Sequence, residues 1–214
     1  IKPKFLKIAS SDLTDVYLIK QIMLSKIKLI LSTGMANTEE IKKTTTLLNN
    51  YDYVLLHCVS LYPTEYEKVN LSRMIKLKKL HKHIGFSDHS IGTFASIKAI
   101  ELGAEVIEKH FTLNKNDDGP DHKCSANFEE LKYICEYSKI RNKIYGKGLI
   151  NPSKTENMNR KNARKSIWAK RNIKINERFT NKNIEKTRPG LGIGPDNFEK
   201  LLNKKSKYNF RKGD

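Results

Sequence analysis

The sequence lacks the features of a disulfide-bonded, zinc-stabilised or membrane-spanning protein. Its three cysteines, Cys58, Cys124 and Cys135, form no CxxC pair, so neither a disulfide framework nor a thiolate zinc site is indicated. No apolar run reaches the roughly 18 residues that a membrane span needs, and no charged-then-apolar signal sequence opens the chain. The cysteine usage favours a reducing compartment, and we therefore expect a cytoplasmic protein with no membrane partner.

Acidic residues are scarce relative to basic ones. The chain has 41 Lys and Arg against 23 Asp and Glu, which gives a formal net charge of +18. Such an excess is typical of proteins that bind nucleic acids. Here the lysines are spread over helices and loops, without a helix-turn-helix, zinc-finger or aromatic-rich RNA-binding pattern. We therefore expect a solvated surface with no nucleic-acid partner, whose field draws small anionic substrates towards the protein.

Nucleotide-binding loops are also missing, since neither GxGxxG nor GxxxxGK[ST] follows a predicted strand. The 214 residues are 38% hydrophobic, which is enough for a sizeable core. The chain opens with Ile1 and ends in FRKGD, and we interpret it as a fragment of a longer protein.

A strand-and-helix repeat fills the first two thirds of the sequence. Strands are predicted at 5–9, 27–31, 53–57, 84–87 and 106–110, and helices at 13–24, 71–80, 93–102 and 128–145. Asn37 and Glu40 form a capping box for a further helix. Five β/α units in succession predict a parallel sheet covered by helices.

Each predicted strand is followed by, or ends in, a polar side chain. These residues are Ser10, Ser32, Ser60, Ser87 and His110. Parallel sheets of this kind either close as eight-stranded barrels or stay open and doubly wound. Polar groups at every strand end favour the barrel, whose top face is built from all of its strands. We therefore predict an α/β fold over residues 1–150, a (β/α)8 TIM barrel that lacks its first three strands.

The pattern changes after residue 150. Residues 151–162 are polar, contain Pro152 and show no apolar period, so we predict a linker. From Ala163 onward, short β-like runs alternate with turn signals. They predict a small basic β-rich domain over residues 163–214, with Trp168 in its core.

The segment from Gly85 to Asp121 is the richest in chemically active side chains. GFSDHSIG, VIEKHFTL and GPDH place His89 and His110 at the ends of successive strands, with carboxylates close by in sequence. On the pattern alone, both histidines could equally be ordinary strand-end residues.

Eight motifs in register carry a family resemblance. They are KIASSD, ILSTGM, LLHC with YPT, GFSDHSIG, VIEKHFTL, GPDHK, ARKSI and RPGLGI. Together they resemble the N-acetylneuraminate (sialic acid) synthase family, including the bacterial legionaminate and pseudaminate synthases. The resemblance implies a barrel followed by an antifreeze-like (SAF, β-clip) domain. It also implies a transferase that condenses phosphoenolpyruvate with N-acetylmannosamine or a related N-acetylated hexose and releases phosphate.

The same resemblance assigns metal and phosphoenolpyruvate ligands. His89 and His110 would bind a divalent metal, Mn2+ or Mg2+, with open positions left for substrate and water. The residues implied to bind phosphoenolpyruvate are Lys7, Ser10, Ser32, Ser60 (Asn in some members) and Ser87. Taken singly, each of these serines could instead be a simple strand terminator.

Catalytic and sugar-binding roles are implied in the same way. His110 and Asp12 would be catalytic, with Asp12 as the general base, although Asp12 could equally cap the helix predicted from Leu13. Tyr62 and Asp121 would contact the sugar. Otherwise, Tyr62 would pack beside Pro63 and Asp121 would cap a turn.

Arg188, in RPG, would reach from the small domain of one subunit into the barrel of another and hold the N-acetyl group of the sugar. This arrangement implies a domain-swapped homodimer. Without the resemblance, Arg188 would be an unremarkable loop residue. The first three strands of the family bring further acidic and basic residues, so we expect this segment alone to be inactive. A sugar-binding protein without catalysis and a related phosphoenolpyruvate-condensing barrel are the alternatives.

Overall fold

The first unit of the chain is a curled parallel sheet. The computed structural model describes residues 3–146 and 148–214, and the chain divides after Gly146 into two compact units. The strands of the first unit are β1 (Phe5–Ile8), β2 (Lys28–Ser32), β3 (Tyr53–Cys58), β4 (Ile84–Asp88) and β5 (Val106–Lys109). All pairings are parallel and follow chain order from β1 to β5. The five predicted strands are confirmed.

The strand order and the curvature identify a partial barrel. A doubly wound sheet reverses its strand order at a switch point, whereas this sheet runs β1-β2-β3-β4-β5 without reversal. In a flat sheet, β1 and β5 would lie about 19 Å apart, because neighbouring strands are about 4.8 Å apart. Yet Lys7 Nζ on β1 is 3.0 Å from Glu108 Oε1 on β5. The sheet therefore curls until its first and last strands face each other across its interior.

Helices cover the outer face of this sheet. They are α1 (Val16–Leu24), α2 (Thr38–Leu47), α3 (Tyr66–Val69), α4 (Ser72–Leu77), α5 (Phe94–Glu101) and α6 (Phe128–Tyr145). The core between sheet and helices contains Leu31 and Phe86 from the strands and Ile19, Ile41 and Met74 from the helices, all at most 4% exposed. Over residues 3–146 and 148–214, no helix has the length and apolarity of a membrane span.

Two predicted helices differ from the observed ones. The helix predicted from Leu13 begins at Val16, because Asp15 Oδ1 accepts a hydrogen bond from Leu18 N (2.9 Å) and caps it. The alternative in which Asp12 caps this helix is therefore wrong. The helix predicted over 71–80 ends at Leu77 and is preceded by the separate α3. Asn70 divides the two, since its left-handed backbone (φ 48°) does not continue a helix.

The second unit is small and contains one β-ribbon. It comprises α7 (Lys154–Ala163), β6 (Ser166–Ala169), β7 (Ile184–Thr187) and α8 (Phe198–Leu201). Strands β6 and β7 are antiparallel and pack on a core that includes Ala169, Ile173 and Ile184. Trp168, predicted in this core, is only half-buried, and its Nε1 donates to the Pro189 carbonyl (3.1 Å).

Helix α7 lies inside the segment predicted as a linker. All of its side chains are exposed, so it has no apolar period for the sequence to reveal. Its signal is the capping box, in which Glu156 N donates to Ser153 Oγ (3.2 Å) and Ser153 N donates to Glu156 Oε2 (2.6 Å). That this segment links the two domains remains a prediction.

Glu177 makes the stability of the second unit depend on pH. Hydrogen bonds from Arg171 Nη2 (2.7 Å), Lys174 N (3.1 Å) and Asn183 Nδ2 (3.1 Å) lower the pKa of this carboxyl to about 2. The pKa of Glu177 in the folded protein lies below the unfolded value of about 4.3. The stabilisation that its carboxylate gives the second unit is therefore complete above about pH 4.3 and is lost as the pH falls towards 2. We expect Glu177→Gln to lower the unfolding temperature at pH 7. The difference in unfolding temperature between the wild type and this variant should narrow below pH 4.

Trp168 fluorescence measures this difference, because the only tryptophan of the chain lies in the second unit. Glu199→Gln, at an exposed position on α8, is the control. A difference between Glu177→Gln and the wild type that stays constant from pH 7 to pH 2.5 would contradict this account.

Candidate functional site

Strand alternation collects one row of polar side chains inside the curl. Successive side chains of a strand point to opposite faces, and Leu31 and Phe86 belong to the helix-facing core. Their neighbours Ser32 and Ser87 therefore face the interior. By the same alternation, the interior row comprises Lys7, Ser32, Cys58, Ser87, His89, Glu108 and His110. Asp88 and Lys109 lie on the outer face.

Gly34 is the point where hydroxyl groups from neighbouring loops converge. Its N–H donates to Ser10 Oγ (2.9 Å). A Cβ at this position would collide with Ser60 Oγ and would lie 2.7 Å from Ser10 Oγ and 3.1 Å from Cys58 Sγ. Ser60 Oγ is itself 4.0 Å from Cys58 Sγ. Ser10 and Ser60, predicted separately, therefore lie at one place.

Ser32 has the features of a ligand-binding hydroxyl. It is 1% exposed, and its Oγ has no hydrogen-bond partner anywhere in residues 3–146 and 148–214. Buried polar atoms are nearly always paired, because an unmet hydrogen bond is costly away from water. A substrate oxygen that enters the interior would supply the missing partner.

Lys7 is held in the interior by an acidic residue that the sequence analysis did not assign to the site. The Lys7 ammonium group is 3.0 Å from Glu108 Oε1, and both side chains are about one third exposed (36% and 35%). Glu108 Oε2 is buried, and nothing in the described part of the chain hydrogen-bonds to it. The motif VIEKH contained a signal for this residue, since Glu108 stands two positions before His110 and so shares its face.

The two predicted metal ligands lie together. The ring centroids of His89 and His110 are 5.4 Å apart, close enough for both rings to contact one ion. His89 Nδ1 is 2.9 Å from the Val59 carbonyl oxygen, which places the proton of a neutral ring on Nδ1 and leaves Nε2 free. A backbone carbonyl in this position is typical of metal-binding histidines. The residues therefore fit a divalent metal.

The metal site would be open to solvent or substrate. No group of three or more His, Cys, Asp or Glu side chains in the described residues could hold an ion. His110 Nδ1 lies 3.8 Å from Asp121 Oδ2, so the two groups are neighbours but are too far apart for a hydrogen bond. Two histidines alone leave coordination positions for water or a substrate oxygen, as a catalytic centre requires.

Cys58 lies closer to the chemistry than the sequence indicated. It is buried (2% exposed), and its Sγ is 3.9 Å from His89 Nδ1. Burial raises the pKa of the thiol, but His89, Ser10 and Ser87 outweigh this effect and the net pKa is lowered. For His89, burial lowers the pKa, while Cys58 and the Val59 carbonyl outweigh it and the net pKa is raised. Each group therefore favours the charged form of the other.

Tyr62 contacts both histidines. Its ring centroid is 4.1 Å from that of His89 and 5.7 Å from that of His110, and the side chain is 47% exposed. Tyr62 therefore does more than pack beside Pro63, because its ring also contacts the two histidines. The structure brings Tyr62, His89, His110 and Asp121 together at the open end of the curl, where the sugar is expected.

The two remaining predicted site residues are Asp12 and Arg188. Asp12 closes a single 3-10 turn (Ser10–Asp12) and is exposed. Arg188 follows β7 in the second unit and is also exposed. Their catalytic and sugar-binding roles remain predictions.

Comparisons with known proteins identify the family of this chain. Residues 1–149 match the NeuB family, and residues 164–214 match the SAF domain. The chain belongs to the NeuB family. The predicted family is thereby confirmed.

Three similar proteins illustrate this family. The N,N'-diacetyllegionaminic acid synthase of Campylobacter jejuni is 40% identical over 217 residues, which cover 99% of this chain and 65% of that protein. The pseudaminic acid synthase of the same species is 37% identical over 212 residues, which cover 97% of this chain and 62% of that protein. The solved structure of the N-acetylneuraminic acid (sialic acid) synthetase of Leptospira borgpetersenii is 35% identical, with a TM-score of 0.67. The match covers 73% of this chain and 56% of that one. The chain thus spans less than two thirds of the length of these proteins.

Gly34 offers a test of the hydroxyl cluster in this NeuB-family site. If the full-length protein binds phosphoenolpyruvate through these hydroxyl groups, as the sequence predicts, Gly34→Ala is expected to raise the KM for this substrate about tenfold, since the added methyl displaces Ser10 and Ser60 and one charge-assisted hydrogen bond is worth about 1.5–3 kcal/mol. Steady-state kinetics with varied phosphoenolpyruvate measures this effect. Gly192→Ala, whose Cβ would meet only Ser166 Cβ at 4.0 Å, is the control. An unchanged KM in Gly34→Ala would show that these hydroxyls do not bind this substrate.

Proposed function

We propose that the full-length protein is a nonulosonic acid synthase, which condenses phosphoenolpyruvate with N-acetylmannosamine or a related N-acetylated hexose and releases phosphate. The observation that carries the proposal is the shared interior face. A lysine, a set of hydroxyl groups and two histidines with room for a metal meet at one end of a parallel sheet. In parallel α/β folds, this end of the strands is where active sites lie.

Phosphoenolpyruvate needs cationic and hydroxyl donors for its phosphate and carboxylate. Lys7 supplies the cation, and Glu108 orients its ammonium group into the interior at 3.0 Å. The buried hydroxyl of Ser32, together with Ser10, Ser60 and Ser87, supplies the neutral donors. These groups lie on β1 to β4 or in the loops that follow, so they would surround one small anion from several sides.

The sugar would lie beside the histidines. His89 and His110 would hold Mn2+ or Mg2+, and the metal, when bound, would act as a Lewis acid on the sugar carbonyl. Tyr62 packs against both rings and limits the space for the sugar on that side. Asp121, next to His110, is placed to accept a hydrogen bond from a sugar hydroxyl.

The proposed reaction forms one carbon–carbon bond. C3 of phosphoenolpyruvate bonds to the carbonyl carbon of the sugar, and the carbonyl oxygen takes up a proton. Water then adds to C2, and phosphate leaves with the bridging oxygen. Asp12, which is exposed on the turn after β1, is proposed as the base that takes the proton of this water.

The proposal includes an assembly. Arg188 would hold the N-acetyl group of the sugar in the barrel of a second subunit, within a domain-swapped homodimer in the cytoplasm. The match of residues 164–214 to the SAF domain supports this part of the proposal, because Arg188 lies in that segment.

Phosphate release by the full-length protein tests the function and identifies the sugar. Phosphoenolpyruvate and Mn2+ are supplied with N-acetylmannosamine or with the N-acetylated diamino hexoses that a legionaminic or pseudaminic acid synthase would need. We expect release that requires both one sugar and the metal, and that a chelator abolishes. Release without any sugar would contradict the proposal. A folded protein that binds a sugar but releases no phosphate would instead be a sugar-binding protein.

A further inference from the structure

A buried ion pair lies on the outer face of the sheet, behind the two histidines. Lys109 Nζ is 3.1 Å from Asp88 Oδ2, and the side chains are 1% and 0% exposed. The attraction within such a pair is largely offset by the cost of removing both charges from water, so its net contribution to stability is small. Its place in the chain indicates a different use. Asp88 directly precedes His89, and Lys109 directly precedes His110.

The hydrogen bonds of this pair hold the two residues that flank His89 in the chain. Asp88 Oδ1 accepts from Ser90 N (2.8 Å) and Ser90 Oγ (2.7 Å), and its Oδ2 accepts from Ser96 Oγ (2.6 Å). Lys109 Nζ also donates to the Ser90 carbonyl (2.7 Å). The residues before and after His89 are therefore both tied to Lys109.

His110 depends on the same contact because the strand pairing stops just before it. Asp88 and Lys109 are the last register partners of β4 and β5. Beyond them, the His110 carbonyl accepts one hydrogen bond from Ala126 N (2.7 Å). The ion pair thus fixes the two backbones at the last point before both imidazoles.

We propose that Asp88 and Lys109 are positioning residues, which set the separation and orientation of His89 and His110 and thereby the affinity of the site for a divalent metal. This inference rests on the proposed metal-binding role of the two histidines. Metal ligands need to be held within about 0.5 Å of their productive geometry, and buried contacts behind the ligands usually do so. The ion pair contacts neither the metal position nor a substrate, because it lies on the opposite face of the sheet.

The double variant Asp88→Asn with Lys109→Met tests this inference in the full-length protein. Loss of one partner alone would leave an unpaired buried charge and destabilise the fold, whereas joint replacement by neutral groups of similar size avoids this. We expect an unfolding temperature within about 3 °C of the wild type and a Kd for Mn2+ at least about tenfold higher. Electron paramagnetic resonance of free Mn2+ gives the Kd, and circular dichroism gives the unfolding temperature.

If the ion pair has only a structural role, the double variant should show no change in the Kd for Mn2+. The double variant would then bind Mn2+ like the wild type once its stability is retained, and the inference would be overturned. The control is Lys28→Met with Asp52→Asn, which removes a 3.0 Å ion pair at the other end of the sheet and should leave the Kd unchanged. If the wild type itself binds no Mn2+, the proposed metal site fails and this inference fails with it, a result distinct from equal affinities.

Ser96→Ala keeps the inference testable if the double variant does not fold. It removes only the 2.6 Å hydrogen bond to Asp88 and leaves both charges in place. We expect the Kd for Mn2+ to rise about threefold, in line with the loss of one hydrogen bond. Affinity equal to the wild type in this variant would overturn the inference.

Discussion

Replacement of His89 by alanine in the full-length protein is expected to lower kcat for phosphate release about a thousandfold. A bound metal is worth several kcal/mol of charge stabilisation in the transition state, and each 1.36 kcal/mol is a factor of ten in rate. His89 supplies a free Nε2, since its Nδ1 is bound to the Val59 carbonyl at 2.9 Å. The KM for phosphoenolpyruvate should change little, because Lys7 and the serines remain.

His83→Ala is the matched control for this result. His83 lies just before β4, at the opposite end of the strand from His89, and its Nδ1 is 2.8 Å from Glu105 Oε2 on the protein surface. It should retain wild-type kcat. A His89→Ala protein that keeps more than a tenth of the wild-type kcat would show that His89 holds no catalytic metal.

Replacement of Lys7 by methionine is expected to lower kcat/KM for phosphoenolpyruvate by about a hundredfold, mainly through KM. A hydrogen bond to a charged group contributes about 1.5–3 kcal/mol, and 1.4 kcal/mol corresponds to a factor of ten in affinity. The unfolding temperature should change little, because the Lys7–Glu108 pair is one third exposed and such pairs contribute little to stability. Steady-state kinetics and thermal unfolding measure the two effects.

Lys28→Met provides the comparison, since Lys28 starts the neighbouring strand and pairs with Asp52 at the far end of the sheet. We expect its kinetics to match the wild type. Equal losses in both lysine variants would mean that general positive charge, rather than Lys7 itself, attracts the substrate.

Local sequence patterns predicted the strands and most of the polar row. Short apolar runs that end in Ser32, Ser87 and His110 fixed the carboxyl ends of the strands, and alternation then determined which residues share the interior. The capping box of Asn37 and Glu40 likewise predicted the helix that the structure shows as α2. Each of these signals depends on residues close together in the chain.

The remaining features depend on residues far apart in the chain. The Lys7–Glu108 ion pair joins the first and last strands, so it exists only because the sheet curls. The register places Cys58 beside Ser87 and its thiol lies near His89, and the local sequence around Cys58 indicates neither contact. The sequence offers Asp12 as a cap for a helix that begins at Leu13, but the helix begins at Val16 and Asp15 Oδ1 caps it by accepting from Leu18 N.

Mass spectrometry of the reaction product tests the proposed synthase most directly. The full-length protein is incubated with phosphoenolpyruvate, Mn2+ and each candidate N-acetylated hexose. We predict an acid whose mass equals that of one sugar plus one pyruvic acid, formed in the same amount as phosphate and absent when His89 is replaced by alanine. Phosphate release without this acid would contradict the proposed carbon–carbon bond formation.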